Sequence, residues 1–127
     1  MTEPIWILEA VVLKIYEQQM NEHGGEYGIR DLGMLESALN HPKNVWKYQE
    51  SELHELAAGY AARICANHPF IDGNKRVGFV VMRLFLKLNG KDINASSEEK
   101  IKVFLRLADG KLSEVELSEW IYQNIAN

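Results

Sequence analysis

The stretch NKRVGFVVMRLFLKLN, from Asn74 to Asn89, constrains the fold more than any other part of the chain. Read at helical period, its apolar residues run almost all the way round, with Arg83 as the interruption. A helix of that kind needs cover on most sides, so it is expected at the centre of a bundle. Other segments supply the cover. Ile5, Leu8, Val12, Ile15 and Tyr16 recur at helical spacing, which predicts a first helix fading by about Asn21. Thr2 is its expected cap, with Pro4 near the start, where a missing N–H costs little. Asp31 can cap a short helix with Leu32, Leu35, Ala38 and Leu39 on one face, followed by Pro42. Ser51 is the expected cap of a helix running to about Asn67, striped by Leu53, Leu56, Ala57, Tyr60, Ala61 and Ile64. Gly90 is well placed to stop the central helix. Ser96 to Glu99 and Ser113 to Glu116 read as capping boxes for two last helices. Ile101, Phe104, Leu105 and Leu107 fill the first of these, and Gly110 ends it. The second carries Val115, Leu117, Trp120, Ile121 and Ile125.

No alternating pattern of a strand stands out. The expected class is therefore all-α: a compact single-domain bundle of about six helices over residues 1–127, with room for one small hairpin near residues 24–50. Gly24 to Arg30 reads as a loop in which Tyr27-Gly28-Ile29 is the extended candidate. Residues 43–50 read as irregular, and Trp46 and Tyr48 there suit either a contact surface or a small core plug. A chain of 127 residues with 46% hydrophobic content makes one domain with a real core. Its net charge of −4 argues against a direct nucleic-acid partner. Cys65 is the single cysteine, which excludes an internal disulfide, and its apolar helical setting predicts burial. No basic secretory start and no apolar run of transmembrane length is present, so no membrane partner and a cytoplasmic location are expected.

Just before the central segment stands His68-Pro69-Phe70-Ile71-Asp72-Gly73-Asn74-Lys75-Arg76. Pro69 disfavours helical geometry at His68, so the preceding helix should stop there. Gly73 allows a left-handed turn, and Asn74 is a good N-cap for the helix that follows. Lys75 and Arg76 then fall in that helix's first turn, against the positive end of its macrodipole, at a cost of up to about 1 kcal/mol each. The placement makes sense if an anion sits there, because free N–H groups, the dipole and two cations would converge on one phosphate. Each feature alone has a structural reading: His-Pro ends helices, Gly-Asn marks turns, and exposed cations are simply solvated. His23 reads as a solvated loop residue and His54 as surface. His41-Pro42 repeats the dipeptide, but no carboxylate, Gly-Asn or cation pair follows, so His41 reads as structural or exposed. Arg83 shares a face with Arg76, and either borders the anion site or pairs with an acid such as Glu36 or Glu55, pairing being preferred.

HPFIDGNKR resembles the signature of the Fic/Doc superfamily, His-x-Phe-x-(Asp/Glu)-(Gly/Ala)-Asn-(Gly/Lys)-Arg, at every fixed position. GIRDLGMLESAL and LRLADGKLSEVELSEWI are similar to the same family, less specifically. The Lys75 variant resembles the Doc branch, the death-on-curing toxins. Fic proteins proper carry Gly at that position and usually a further Arg three residues beyond the first, where this chain has Phe79.

The chemistry read from the residues agrees with what the resemblance implies. Phosphoryl and nucleotidyl transfer need a proton acceptor, a hard oxygen ligand for a metal and fixed donors for anionic oxygens. Histidine titrates near neutrality, so His68 suits the base. Asp72 suits Mg²⁺, which takes one or two carboxylates plus phosphate oxygens. Gly73, Asn74, Lys75 and Arg76 suit the nucleotide phosphates, and Phe70 is expected to anchor the loop in the core. The resemblance implies an ATP- and Mg²⁺-dependent protein kinase of the Doc type. It would be a toxin transferring the γ-phosphoryl of ATP to a hydroxyl of a translation elongation factor, restrained by an antitoxin protein. The first alternative is a Fic-type transferase that moves AMP to a protein hydroxyl. The second, of another class, is a non-catalytic helical module using the loop as a binding surface. Many Fic proteins carry an inhibitory helix patterned Ser/Thr-x-x-x-Glu-Gly/Asn. The nearest match, Ser51 to Glu55, is followed by Leu56, so no self-inhibition is expected.

Overall fold

The computed structural model describes residues 2–127. Its centre is a pair of helices, α3 (Leu53–Asn67) and α4 (Asn74–Leu88), packed face to face. Small residues let them approach: a Cβ on Gly78 would lie 3.2 Å from the Ala61 carbonyl oxygen. Val77, Val81, Met82, Phe85 and Leu86 of α4 are buried, and so are Leu56, Ala57, Tyr60, Ala61 and Ile64 of α3. Helices α1 (Glu9–His23) and α5 (Ser97–Ala108) cover α4, while α2 (Leu32–Gln49) and α6 (Glu114–Asn124) cover α3. The six-helix, all-α expectation is met, with α3 sharing the centre that the sequence assigned to α4 alone.

Several boundaries differ, each for a reason visible in the packing. Thr2 does not cap α1; the helix starts at Glu9 after Leu8. The residues before it form an extended strap whose backbone is satisfied by side chains of the central pair. Ile5 N–H donates to Asn89 Oδ1 at 2.8 Å, and Ile7 N–H to the Tyr60 hydroxyl at 3.1 Å. Asp31 caps α2, accepting from Met34 N–H, but the helix runs straight through Pro42 to Gln49. Proline removes one bond, to Ala38, while its buried ring and the next turn's Val45 and Trp46 pack inward and offset the loss. Trp46 meets Trp6 edge-on at 6.2 Å, so it plugs the core, whereas Tyr48 is 84% exposed. Ser51 is buried rather than capping; Glu52 is the N-cap of α3, and the Glu55 carboxylate accepts from its N–H at 3.1 Å. Ser96 caps α5, but Glu99 accepts from the Trp120 indole instead of closing a box. The Ser113 box on α6 is complete in both directions.

The small sheet lies outside residues 24–50. It pairs β1 (Asp92–Ile93) antiparallel with β2 (Ile125–Ala126), Ile93 opposite Ile125. Two residues per strand are too few to show alternation. Ile125 therefore sits in a strand beyond α6. Within 24–50 the extended pairing is a single bridge from Ile29 to Phe70. Arg83 pairs with Asp92 at 3.3 Å, not with Glu36 or Glu55. Among the described residues no helix is long and apolar enough to cross a membrane.

Candidate functional site

The loop between α3 and α4 is built on one anchor. Phe70 is fully buried and lies flat on Tyr16, ring centroids 4.0 Å apart. The Tyr16 hydroxyl accepts from Gly28 N–H at 2.7 Å, and Ile71 N–H donates to the Gly28 carbonyl at 2.9 Å. One aromatic pair thus fixes the motif loop against the loop that follows α1.

Asn74 was expected to cap α4 and to meet phosphate. It does not cap: Gly73 is the N-cap, with φ of 82°. The Asn74 side chain is buried, its Oδ1 accepting from Phe70 N–H and its Nδ2 donating to the Phe70 carbonyl, both at 2.9 Å. A buried backbone pair needs partners, and this amide supplies both. The side chain is therefore committed to the loop, and its backbone N–H is what it can offer an anion. Gly73 N–H donates to Asp72 Oδ1 at 2.9 Å, and a Cβ on Gly73 would press to 3.1 Å from Met20 Sδ.

Asp72 is exposed, and its second oxygen accepts from Glu26 N–H at a long 3.3 Å. The approach depends on Gly25, with φ of 116°, where a Cβ would fall 2.7 Å from that oxygen. Lys75 and Arg76 are exposed on the first turn of α4, and among the described residues neither has a carboxylate in ion-pair range. His68 is exposed at the end of α3, its backbone left-handed with φ 47° and ψ 57°. For a residue with a Cβ this costs about 1–2 kcal/mol.

All six predicted site residues, His68, Asp72, Gly73, Asn74, Lys75 and Arg76, line one cleft of about 440 Å³. Its opposite wall comes from α5: the apolar side chains of Phe104, Leu105 and Ala108, and the exposed carboxylate of Asp109 at the helix end. The sequence pattern showed Phe104 and Leu105 only as apolar residues filling a helix and did not place them at the site. Leu105 is 52% exposed, half of it left facing solvent. Phe79 is not part of the cleft lining; it packs edge-on against Phe104 at 6.0 Å. Cys65 is no nucleophile: burial pushes its thiol up to about 11 against the opposing pull of Lys75. His41 lies 3.3 Å from Glu114, and His54 packs on Tyr122, so both serve the helix packing. His23 is exposed at the end of α1.

The residues fit a magnesium ion in one way. Among the described residues no group of three or more His, Cys, Asp or Glu could cage a metal. One or two carboxylates beside an anion site are what Mg²⁺ uses when phosphate oxygens complete its shell, and Asp72 of the loop and Asp109 of α5 both line this cleft.

The sequence matches the Fic/DOC family over residues 6–86. It is 32% identical over 74 residues to the protein named Toxin Doc of Mycolicibacterium smegmatis, covering 57% of each chain. It is 28% identical over 88 residues to the protein named Protein kinase doc of Escherichia phage P1, covering 68% of this chain and 70% of that one. The matched stretch thus spans little over half of the Mycolicibacterium protein's length.

Proposed function

This chain belongs to the Fic/DOC family, and from that premise we propose that it is a Doc-type toxin, a kinase that moves the γ-phosphoryl of ATP to a protein hydroxyl. The observation that carries the proposal is the cleft that gathers an exposed histidine, the exposed Asp72 carboxylate and two cations, unpaired among the described residues, at a helix N-terminus opposite a largely apolar wall that ends in Asp109. The names of the two relatives, a toxin and a protein kinase, support the same reading.

In this reading the phosphates lie over the first turn of α4, where Lys75, Arg76 and the backbone N–H groups neutralise their charge. Asp72 would hold Mg²⁺, which supplies charge neutralisation on the phosphate oxygens when bound. His68 accepts the proton of the target hydroxyl as its oxygen bonds to the γ-phosphorus and the bond to the ADP oxygen breaks. The apolar wall of α5 is a surface for the base or the ribose. Lys75 and the sideways packing of Phe79 favour phosphoryl over AMP transfer. A lysine occupies the space that a glycine would leave open, and a phenylalanine stands where a second phosphate-binding arginine would be needed. The target is a translation elongation factor, and an antitoxin protein whose tail folds onto the toxin restrains it.

The test is incubation with ATP labelled at the α or the γ position and a translation extract, followed by mass spectrometry of the labelled protein. Gain of one phosphate on an elongation factor is the expected result. Gain of AMP would move the chain to the nucleotidyl transferases, and no modification by a folded, soluble chain would end the enzymatic reading.

A further inference from the structure

We propose that Arg30 is the positioning residue for His68, holding the turn that aims the base into the cleft; this rests on reading His68 as the proton acceptor. Three successive carbonyls straddle the base, those of Asn67, His68 and Pro69, and the Arg30–Asp31 segment donates to all three. Arg30 Nε donates to the His68 carbonyl at 2.6 Å, and Nη2 to the Asn67 carbonyl at 2.7 Å. The backbone N–H groups of Arg30 and Asp31 donate to the Pro69 carbonyl at 2.8 and 3.0 Å. Asn67 Nδ2 then donates back to Met34 at 3.0 Å, closing the staple onto the first turn of α2.

The last carbonyls of a helix have no donor within it, and they carry the negative end of its dipole. A guanidinium suits them because its donors form a rigid fork and its charge is permanent. The left-handed turn alone does not call for this. Glu50, ending α2, takes the same φ of 47°, and among the described residues no arginine donates to its carbonyl. What Arg30 adds is restraint at the one helix end that delivers a reacting group. His68 has no hydrogen bond to its ring among the described residues, so the direction of the imidazole is set through its backbone.

The test compares the whole chain with Arg30→Met, which keeps the stem and removes the donors, and with Arg30→Lys, which can reach one carbonyl at a time. A base displaced by about an ångström costs up to roughly 100-fold in rate. Arg30→Met should therefore lose about 10- to 100-fold in kcat at unchanged KM for ATP, and Arg30→Lys should recover part of that. In parallel, NMR couplings and carbon shifts at residue 68 should report a fixed left-handed φ in the wild type and an averaged one in Arg30→Met. A wild-type kcat in Arg30→Met, or a residue 68 still locked, overturns the proposal. So does a fall of kcat and melting temperature together with a rise of KM, which would make Arg30 a general brace. If Arg30→Met does not fold, Arg30→Lys decides: partial loss of kcat at wild-type KM is expected, and full kcat overturns it. A wild type that transfers nothing from ATP would sink the kinase reading instead, while the NMR comparison would still judge Arg30.

Discussion

The amide of Asn74 holds both backbone groups of Phe70, so its removal strands a buried N–H and a buried carbonyl. Asn74→Ala is expected to cost about 2–4 kcal/mol, read as a lower urea midpoint, because each stranded group carries its own desolvation penalty. His68→Ala should behave in the opposite way. The ring is exposed and packs on nothing in the core, so stability should stay within about 0.5 kcal/mol of wild type while transfer is abolished. A folded, fully active His68→Ala would remove His68 from the reaction, and an Asn74→Ala as stable as wild type would mean that water replaces the amide. These two residues mark what could be read at this scale. That His68, Asp72, Lys75 and Arg76 would meet in one place was legible because they stand within nine contiguous residues. The work of Asn74 was not, since an N-cap and a buried loop brace ask for the same side chain. Arg30 was invisible because its partner lies 38 residues away. Gly25 was invisible because its close approach is to a carboxylate on another loop.

Two glycines inside the central helices separate close packing from mere absence of a side chain. A Cβ on Gly59 would meet His41, Pro42 and Glu114 at 3.4 to 3.6 Å, ordinary contact distances against side chains. Gly59→Ala should therefore stabilise the protein by about 0.5–1 kcal/mol through helix propensity. A Cβ on Gly78 would instead come to 3.2 Å from a backbone oxygen of α3, which cannot swing away as a side chain does. Gly78→Ala should push the central pair apart and cost about 1–3 kcal/mol. Thermal melts of the two variants check the opposite signs, and stabilisation by both would show that α3 and α4 have slack between them. The helices themselves were legible from apolar period and, at α2, α5 and α6, from their caps. The continuation of α2 through Pro42 was not, because it depends on Trp46 finding Trp6 from the strap. A propensity argument at Pro42 sees the lost bond and not the packing beyond it.

At the scale of the whole molecule, the family match stops at residue 86, yet the apolar wall of the cleft lies on α5, beyond it. Besides the packing of α5 on α4 and of α6 on α3, a short closure ties that half to the rest. The β1 strand leaves α4 and pairs with the chain's last strand, and Asn94 N–H donates to the Asn124 carbonyl at 2.7 Å. Asp92 sits at the joint. Burial pushes its carboxyl up, but the Ile93 N–H, Arg83 and Lys87 together outweigh that and hold it below its ordinary value of 3.8. A carboxyl depressed on folding adds stability that is fully present above its unfolded pKa and is lost as pH falls through the folded one. Asp92→Asn should therefore be less stable than wild type at neutral pH and converge with it well below pH 3.8. The side chains of Arg83 and Asp92 are 32% and 40% exposed, so solvent screening limits the gap to about 1 kcal/mol or less. Glu116 is also depressed, by bonds from Ser113, but it is common to both proteins and cancels in the difference. Urea titrations at neutral and at acid pH measure the gap directly, and added salt should narrow it at neutral pH. If the gap is as wide in acid as at pH 7, the amide is failing by shape. Charge would then not be what holds the joint at Asp92.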